Sequence, residues 1–320
     1  MDLTQNRQRW GEKRYHSMDY DLKREYQEKV YKIVLNGGMT CPNRDGTIGR
    51  RGCIFCSPAG SGDFAGSAAF SISEQLRRGK AALSAKRPVH AYIAYFQAFT
   101  NTYAPLPHLT HIFEEAIRDP EVKILSIATR PDCLGEDVLE LLERLNTQKP
   151  VWIELGLQTI HQKTAALIRR GYDLPVFEQA VHALRKRGIQ VIVHTILYLP
   201  GETKTQMLST LDYLNQQDIQ GVKLQLLHIL KGTDLAEYYL YHPFALPSME
   251  EYIRTIAQCI ARLRGNLTIH RLTGDGPADL LIAPLWSRNK RTILNTLHQY
   301  LKQKDIWQGK DYHDGNIDSI

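Results

Sequence analysis

Six short apolar runs constrain this chain more than any other feature: Tyr31–Leu35, Ala91–Phe96, Lys123–Ala128, Val151–Leu155, Ile189–Ile196 and Val222–Leu227. Amphipathic stretches separate them, at Ile72–Ala85, Leu109–Arg118, Glu136–Leu145, Val176–Arg187 and Lys204–Gln216. Strand followed by helix, repeated, predicts parallel strands, because each helix must carry the chain back across the face of the sheet. Six units are too few to close an eight-fold barrel. An open partial barrel and a doubly wound sheet both fit the α/β pattern. After Thr233 the rhythm changes to a helical stretch (Met249–Arg264), a short strand (Leu267–Leu272) and a further helix (Asn289–Lys304). These predict a C-terminal α/β extension packed on the main domain. The expected division is an N-terminal extension over 1–30, a core over 31–232 and the extension over 233–320. The polar end, Gly309–Ile320, is expected to fray.

Hydrophobic residues make up 43% and charged residues 23% of the 320, the mix of an ordinary globular protein. The balance of 40 Lys+Arg against 34 Asp+Glu gives +6, compatible with a polyanionic partner without requiring one. No apolar run approaches the roughly 18 residues of a membrane span. The polar start, Met1–Lys13, lacks the apolar stretch of a secretory signal, so a cytoplasmic location is expected. The five cysteines are an odd number, and Cys41, Cys53 and Cys56 crowd into one loop. In a cytosolic protein that clustering reads as metal or redox chemistry rather than a disulfide framework.

The loop runs Thr40-Cys41-Pro42-Asn43-Arg44-Asp45-Gly46-Thr47-Ile48-Gly49-Arg50-Arg51-Gly52-Cys53-Ile54-Phe55-Cys56, directly after the first strand. Cysteine thiolates are the usual ligands of iron–sulfur clusters. A Cys-x-x-Cys pair places two sulfurs within reach of one cluster, and the third cysteine completes a triangle. Three ligands leave one iron of a cubane open, as catalytic zinc sites leave a position open. Zinc is the competing occupant. It needs a fourth ligand, which Cys133, His16 or His90 would supply through the fold. On ligand chemistry alone the two readings are even.

The wider sequence resembles the radical SAM (S-adenosylmethionine) superfamily. Its usual spacing is C-x3-C-x2-C, and its elongator-type members carry longer first gaps; here the spacing is C-x11-C-x2-C with Phe55 before the last cysteine. Ala128-Thr129-Arg130-Pro131-Asp132 resembles the TRPD stretch of the elongator catalytic subunit. Glu154-Leu155-Gly156-Leu157-Gln158-Thr159 resembles its E-x-G-x-Q-S/T element, and Arg170-Gly171-Tyr172-Asp173 its R-G-H/Y element. His194 through Leu199-Pro200-Gly201-Glu202-Thr203 resembles H-x-x-x-G-L-P-G-E/Q-T. Tyr95-Phe96-Gln97, Thr100-Asn101-Thr102-Tyr103, Pro284-Leu285-Trp286 and Asn289-Lys290 are shared with the YtqA/YhcC group, also called MnmL. Two positions depart: Tyr198 stands where the motif has glycine, and Ala128 where elongator relatives have glutamate.

The resemblance implies a partial (β/α)6 radical SAM barrel in which Cys41, Cys53 and Cys56 hold a [4Fe–4S] cluster. It implies S-adenosyl-L-methionine on the open iron, with Phe55, Gln97, Thr100, Thr129, Glu154, Gln158, Arg170 and His194 near it. It implies a tRNA substrate whose wobble 5-carboxymethylaminomethyl(-2-thio)uridine becomes 5-aminomethyl(-2-thio)uridine. Reduced flavodoxin or ferredoxin would be the electron donor, and no membrane is involved. The alternatives are radical chemistry on a small molecule or protein, or a zinc-stabilised RNA-binding protein without catalysis. Arg185-Lys186-Arg187, Arg288-Asn289-Lys290-Arg291, Arg77-Arg78 and Lys80 read equally as phosphate contacts or solvated helix faces. Cys133 and Cys259 read as ordinary free thiols, the latter in a helix core. Arg44 and Asp45 are expected to brace the cysteine loop. Trp307, Tyr312 and His313 read as a seal of the extension or as base-stacking groups.

Overall fold

The computed structural model describes residues 10–85, 89–274 and 276–313. The strands are β1 (Tyr31–Leu35), β2 (Tyr92–Phe96), β3 (Val122–Thr129), β4 (Val151–Gln158), β5 (Gln190–Leu197), β6 (Gly221–Leu226), β7 (Ile229–Leu230), β8 (Thr268–Arg271) and β9 (Leu281–Ala283). The helices begin with α1 (Met18–Tyr26), α2 (Pro42–Asp45), α3 (Ile72–Ser84), α4 (Leu106–Arg118), α5 (Glu136–Asn146) and α6 (Gln162–Leu167). They continue with α7 (Leu174–Lys186), α8 (Lys204–Asn215), α9 (Asp234–Tyr241), α10 (Met249–Arg262) and α11 (Lys290–Gln303).

Seven strands form one parallel sheet in the order β1-β2-β3-β4-β5-β6-β8, curled into a half-barrel with helices outside it. The partial barrel predicted from the sequence is therefore the fold. One element differs from expectation. Thr268–Arg271, read as part of a packed extension, pairs with β6 and continues the main sheet as its seventh strand. Its four residues are too short to register as a further strand–helix unit. The second sheet is a small antiparallel pair, β7 with β9.

Residue alternation within each strand divides the interior into two regions. Outward side chains such as Ile33, Phe96, Leu125, Ile153, Val193 and Leu224 pack under the helices in the principal core. Inward Ile93, Ile124, Trp152 and Ile192 close the bottom of the barrel together with Leu22 of α1. That helix carries a single buried residue, so its sequence gives no apolar stripe to recognise. Ser17, its N-cap, bridges Ile269 of β8 and so covers the open edge. Cys259 is wholly buried on α10, as expected of a core thiol, and Trp307 is buried at the C-terminal seal. Of the end expected to fray, Gly309–Ile320, residues 309–313 are instead tied down, Gly309 N donating to Ile260 O at 3.4 Å and Asp311 N to Ala261 O at 2.9 Å; 314–320 lie outside the described residues, as does the start of the N-terminal extension, 1–9.

Tyr198, in place of the motif's glycine, adopts φ +67, a left-handed conformation that costs an L side chain energy. Its hydroxyl meets Thr255 Oγ1 at 2.7 Å and its ring packs near Tyr252, contacts that offset the strain.

Phe177 of α7 is completely buried, whereas Leu240 of α9 is 71% exposed. Phe177→Ala is expected to cost about 3–5 kcal/mol in urea unfolding and Leu240→Ala less than about 0.5 kcal/mol, with similar m-values.

Candidate active site

The cysteine loop leaves the C-terminal end of β1 and is folded by its own backbone. Cys41 N-caps α2, its carbonyl accepting from Arg44 N (2.7 Å) and Asp45 N (3.1 Å). Gly52 N donates to Asn43 O at 2.7 Å, and Cys56 N donates to Cys53 O at 3.0 Å. Gly52 sits at φ +73, and a Cβ there would lie 2.8 Å from Arg44 Nε, so only glycine lets this arginine pass. Arg44 in turn donates to the carbonyls of Cys56 (3.1 Å) and Ser57 (2.7 Å). Asp45 accepts from Thr47 N at 3.0 Å, so both residues brace the loop as expected. Asn43 does further bracing: its amide donates to Arg169 O at 2.8 Å and reaches Cys53 Sγ at 3.5 Å.

Cys41, Cys53 and Cys56 line one cavity at the top of the half-barrel. Burial pushes the Cys53 thiol up to about 12, reinforced by Cys56 and opposed by Arg130. Cys56 is raised for the same first reason and opposed by Ser61 and Arg44. The guanidiniums of Arg44 and Arg130 are thus placed to favour thiolates, the form that binds metal. His16, one candidate fourth zinc ligand, is held by Asp21 at 2.6 Å, and His90 is exposed beside Glu121. Neither lines the cavity. Among the described residues no three His, Cys, Asp or Glu side chains converge tightly enough for one metal ion. Three thiols lining one cavity are the kind of donor set that iron–sulfur clusters use.

The other eight residues singled out from the sequence, Phe55, Gln97, Thr100, Thr129, Glu154, Gln158, Arg170 and His194, all line this same cavity. Gln97 donates to Ser61 O at 2.8 Å, and Thr129 Oγ1 shares a 2.5 Å hydrogen bond with Thr102. Thr100 N donates to Thr40 O at 3.1 Å, tying β2 to the cysteine loop. Gln158 ends β4 at φ +63, beside an irregularity in its pairing with β5. Arg170 is fully buried, donates to the carbonyls of Leu157 (3.2 Å), Thr159 (2.7 Å) and Tyr172 (3.0 Å), packs over the Tyr172 ring, and has no hydrogen-bond partner for Nη2 among the described residues. An orphaned buried N–H in the wall is what a cavity built for a polar ligand presents.

Glu154 is the hub below. Its carboxylate accepts from Lys32 (2.9 Å), Ser126 (2.9 Å), His194 (2.7 Å) and Lys223. Burial alone would raise its pKa, but Lys223 and Lys32 hold it well below the usual carboxylate range. Burial, with Lys223 adding to it, lowers His194 to about 4, so its imidazole is neutral at pH 7. Burial likewise lowers Lys223. Lys223 also donates to Tyr95 Oη at 3.2 Å. Sequence reading missed Lys32, Tyr95, Ser126 and Lys223. The available signal was a lysine flanked by apolar residues in Tyr31-Lys32-Ile33 and Val222-Lys223-Leu224.

The basic runs separate. Arg185 pairs with Asp218 (3.0 Å), Arg187 with Glu136 and Glu143, and Arg77 and Arg78 with Glu74. Lys80 pairs with Asp119 and Glu121. These are helix-face ion pairs. Arg288 and Lys290 instead line an opening contiguous with the cavity through Gln97, Phe64 and Arg271. Cys133 is half-buried, and its thiol is pushed up to about 12 by burial and by Asp132. Among the described residues no helix is long and apolar enough to cross a membrane.

Residues 44–214 match the Radical SAM superfamily and 219–303 the Radical_SAM C-terminal domain. The chain is 43% identical to "Uncharacterized protein YtqA" of Bacillus subtilis, over 93% of each protein. It is 38% identical to "Protein YhcC" of Escherichia coli, over 89% of this chain and 92% of that one. A tRNA uridine(34) acetyltransferase of Methanocaldococcus infernus is 24% identical over 57% of this chain and 34% of its own length. The solved archaeal Elp3 of Methanocaldococcus infernus superposes with a TM-score of 0.66 at 17% identity, covering 87% of this chain and 64% of that one. At that identity the likeness establishes the fold.

His194 has a folded pKa below its unfolded value of about 6.5, so its contribution to stability is present above about pH 6.5 and lost as pH falls towards 4. Urea unfolding from pH 7.5 to 4.5 is therefore expected to lose stability more steeply in the wild type than in His194→Gln.

Proposed function

Because the chain belongs to the radical SAM superfamily, we propose that it is a tRNA-modifying enzyme acting on the wobble uridine. The conversion would be 5-carboxymethylaminomethyl(-2-thio)uridine to 5-aminomethyl(-2-thio)uridine. The family uses a [4Fe–4S] cluster and SAM, and the chain is a radical SAM enzyme. Cys41, Cys53 and Cys56 would hold the cluster, since they are the thiols brought to one cavity. When bound, this pair of cofactors supplies a 5′-deoxyadenosyl radical that takes hydrogen from an unactivated C–H bond. The protein's own residues bind, orient and exclude water. Phe55, Gln97, Thr100, Thr129, Gln158 and Arg170, at the level of the thiols, would position SAM. Glu154 and His194 belong to the layer below, and neutral His194 would hydrogen-bond without adding charge. Hydrogen abstraction at the carboxymethyl carbon and loss of one further electron would give an imine, the two electrons being balanced by cleavage of SAM to methionine and 5′-deoxyadenosine; hydrolysis of the imine by water would release the unit as glyoxylate and leave the aminomethyl product. Reduced flavodoxin or ferredoxin would be the reductant.

The observation that supports an RNA substrate is the similarity, over more than half the chain, to a protein named for tRNA uridine(34). Arg288 and Lys290, basic residues lining the opening that adjoins the cavity, add to it, because phosphate contacts are made by lysine and arginine. A base splayed from a single-stranded loop is the form in which RNA enters such a cavity.

Anaerobic reconstitution with iron and sulfide, followed by SAM and dithionite, is expected to release 5′-deoxyadenosine from the wild type and none from Cys56→Ala. Adding tRNA from a strain lacking this gene should stimulate release and convert the wobble nucleoside, read by mass spectrometry. Cleavage indifferent to tRNA would remove the RNA substrate and leave a small molecule or protein in its place. A colourless protein without SAM cleavage would favour zinc.

A further inference from the structure

Halfway down the half-barrel, each of the first six strands contributes one inward polar side chain: Lys32, Tyr95, Ser126, Glu154, His194 and Lys223. Such a position is ordinarily filled by apolar side chains. Register places Arg271 of β8 beside Lys223, and both line the cavity that also holds the cysteines. Two lysines, Lys32 and Lys223, share one layer carboxylate. Lys32 meets Glu154 on one oxygen, Oε1, and so offsets its charge from the side away from Lys223. Cavity-lining Asp63, the other described acidic residue there, lies at the cysteine end, where Ser57 donates to it at 2.9 Å. Lys223 uses two of its three N–H donors, on Glu154 and Tyr95. A buried ammonium with like charges beside it is costly unless an anion joins it.

We propose that Lys223, with Arg271 at its side, is the subsite for a carboxylate carried by the substrate next to its reacting carbon. This deepens the proposed function and rests on it for the identity of the substrate. SAM also carries a carboxylate, but its family site is at the cluster, above this layer. Lys223 is the third residue of β6 and Glu154 the fourth of β4, whereas the cysteine loop follows the end of β1. Burial presses Lys223 towards losing its proton, Glu154 opposes it, and Lys32 and Arg271 add to the pressure, which a second carboxylate beside the ammonium would oppose as Glu154 does.

The test uses the reconstituted holoenzyme with SAM and two anticodon stem-loops, one bearing 5-carboxymethylaminomethyluridine and one its methyl ester. The wild type should bind the carboxylate form at least about tenfold more tightly, as a charge-assisted hydrogen bond would give. Lys223→Met should erase that preference. The double variant Glu154→Gln/Lys223→Met, which leaves no unpaired buried carboxylate, should erase it too while keeping the wild-type circular dichroism spectrum. If SAM affinity falls while the stem-loop preference survives, the carboxylate read here is SAM's, and the proposal is overturned. If the wild type binds neither stem-loop, the tRNA reading fails independently. The subsite is then tested with 13C-labelled N-methylglycine against N-methylglycinamide by NMR line broadening. Selective broadening of N-methylglycine, lost in both variants, upholds the subsite; none in the wild type overturns it.

Discussion

The carboxylate of Glu154 binds side chains from β1, β3, β5 and β6, so one buried group ties together both sides of an open sheet. An unclosed barrel has no ring of backbone hydrogen bonds to fix its curvature. Its inner layer must do so instead, and here ionic bonds replace the interleaved aliphatic layers of a closed barrel. The arrangement costs desolvation of several charges, which apolar packing would avoid. What it leaves is a polar floor for the cavity above, aligned with the strand ends where α/β folds place their chemistry.

Above that floor the cysteine loop depends on a different kind of bracing. Arg44 spans the loop through carbonyls, Asn43 fastens it to the segment after α6, and Gly52 yields the space that Arg44 occupies. The same segment carries Arg170, whose carbonyl bonds fix the end of β4. The thiols and this part of the cavity wall are therefore linked, because Asn43 of the cysteine loop bonds the carbonyls of Arg169 and Arg170 and Thr40 accepts from Thr100.

Most of the fold was legible because its signal is periodic. Each of the six main strands was placed to within two residues at either end or better, apart from β4, which continues to Gln158. That last extension passes through Gly156 and into positive φ, where strand propensity gives no guidance. The residues that motif resemblance singled out all line one cavity. The ionic layer was not legible. A lysine in a strand reads the same whether it faces solvent or the barrel axis, and only register decides between them. β8 was misplaced for a related reason: four residues between long connections carry too little pattern to reveal which sheet they join.

Burial holds the thiols of Cys53 and Cys56 above their ordinary pKa, with a consequence for the protein before its metal arrives. Disulfide formation and peroxide attack both run through the thiolate, and their rates follow its abundance. Burial thus disfavours the thiolate at both cysteines of the Cys-x-x-Cys pair, the direction that slows these reactions. Iron and sulfide binding at these cysteines would displace those protons, and so would release acid and be favoured as pH rises. A cluster bound by these sulfurs would hold them as anions, against the direction in which burial presses.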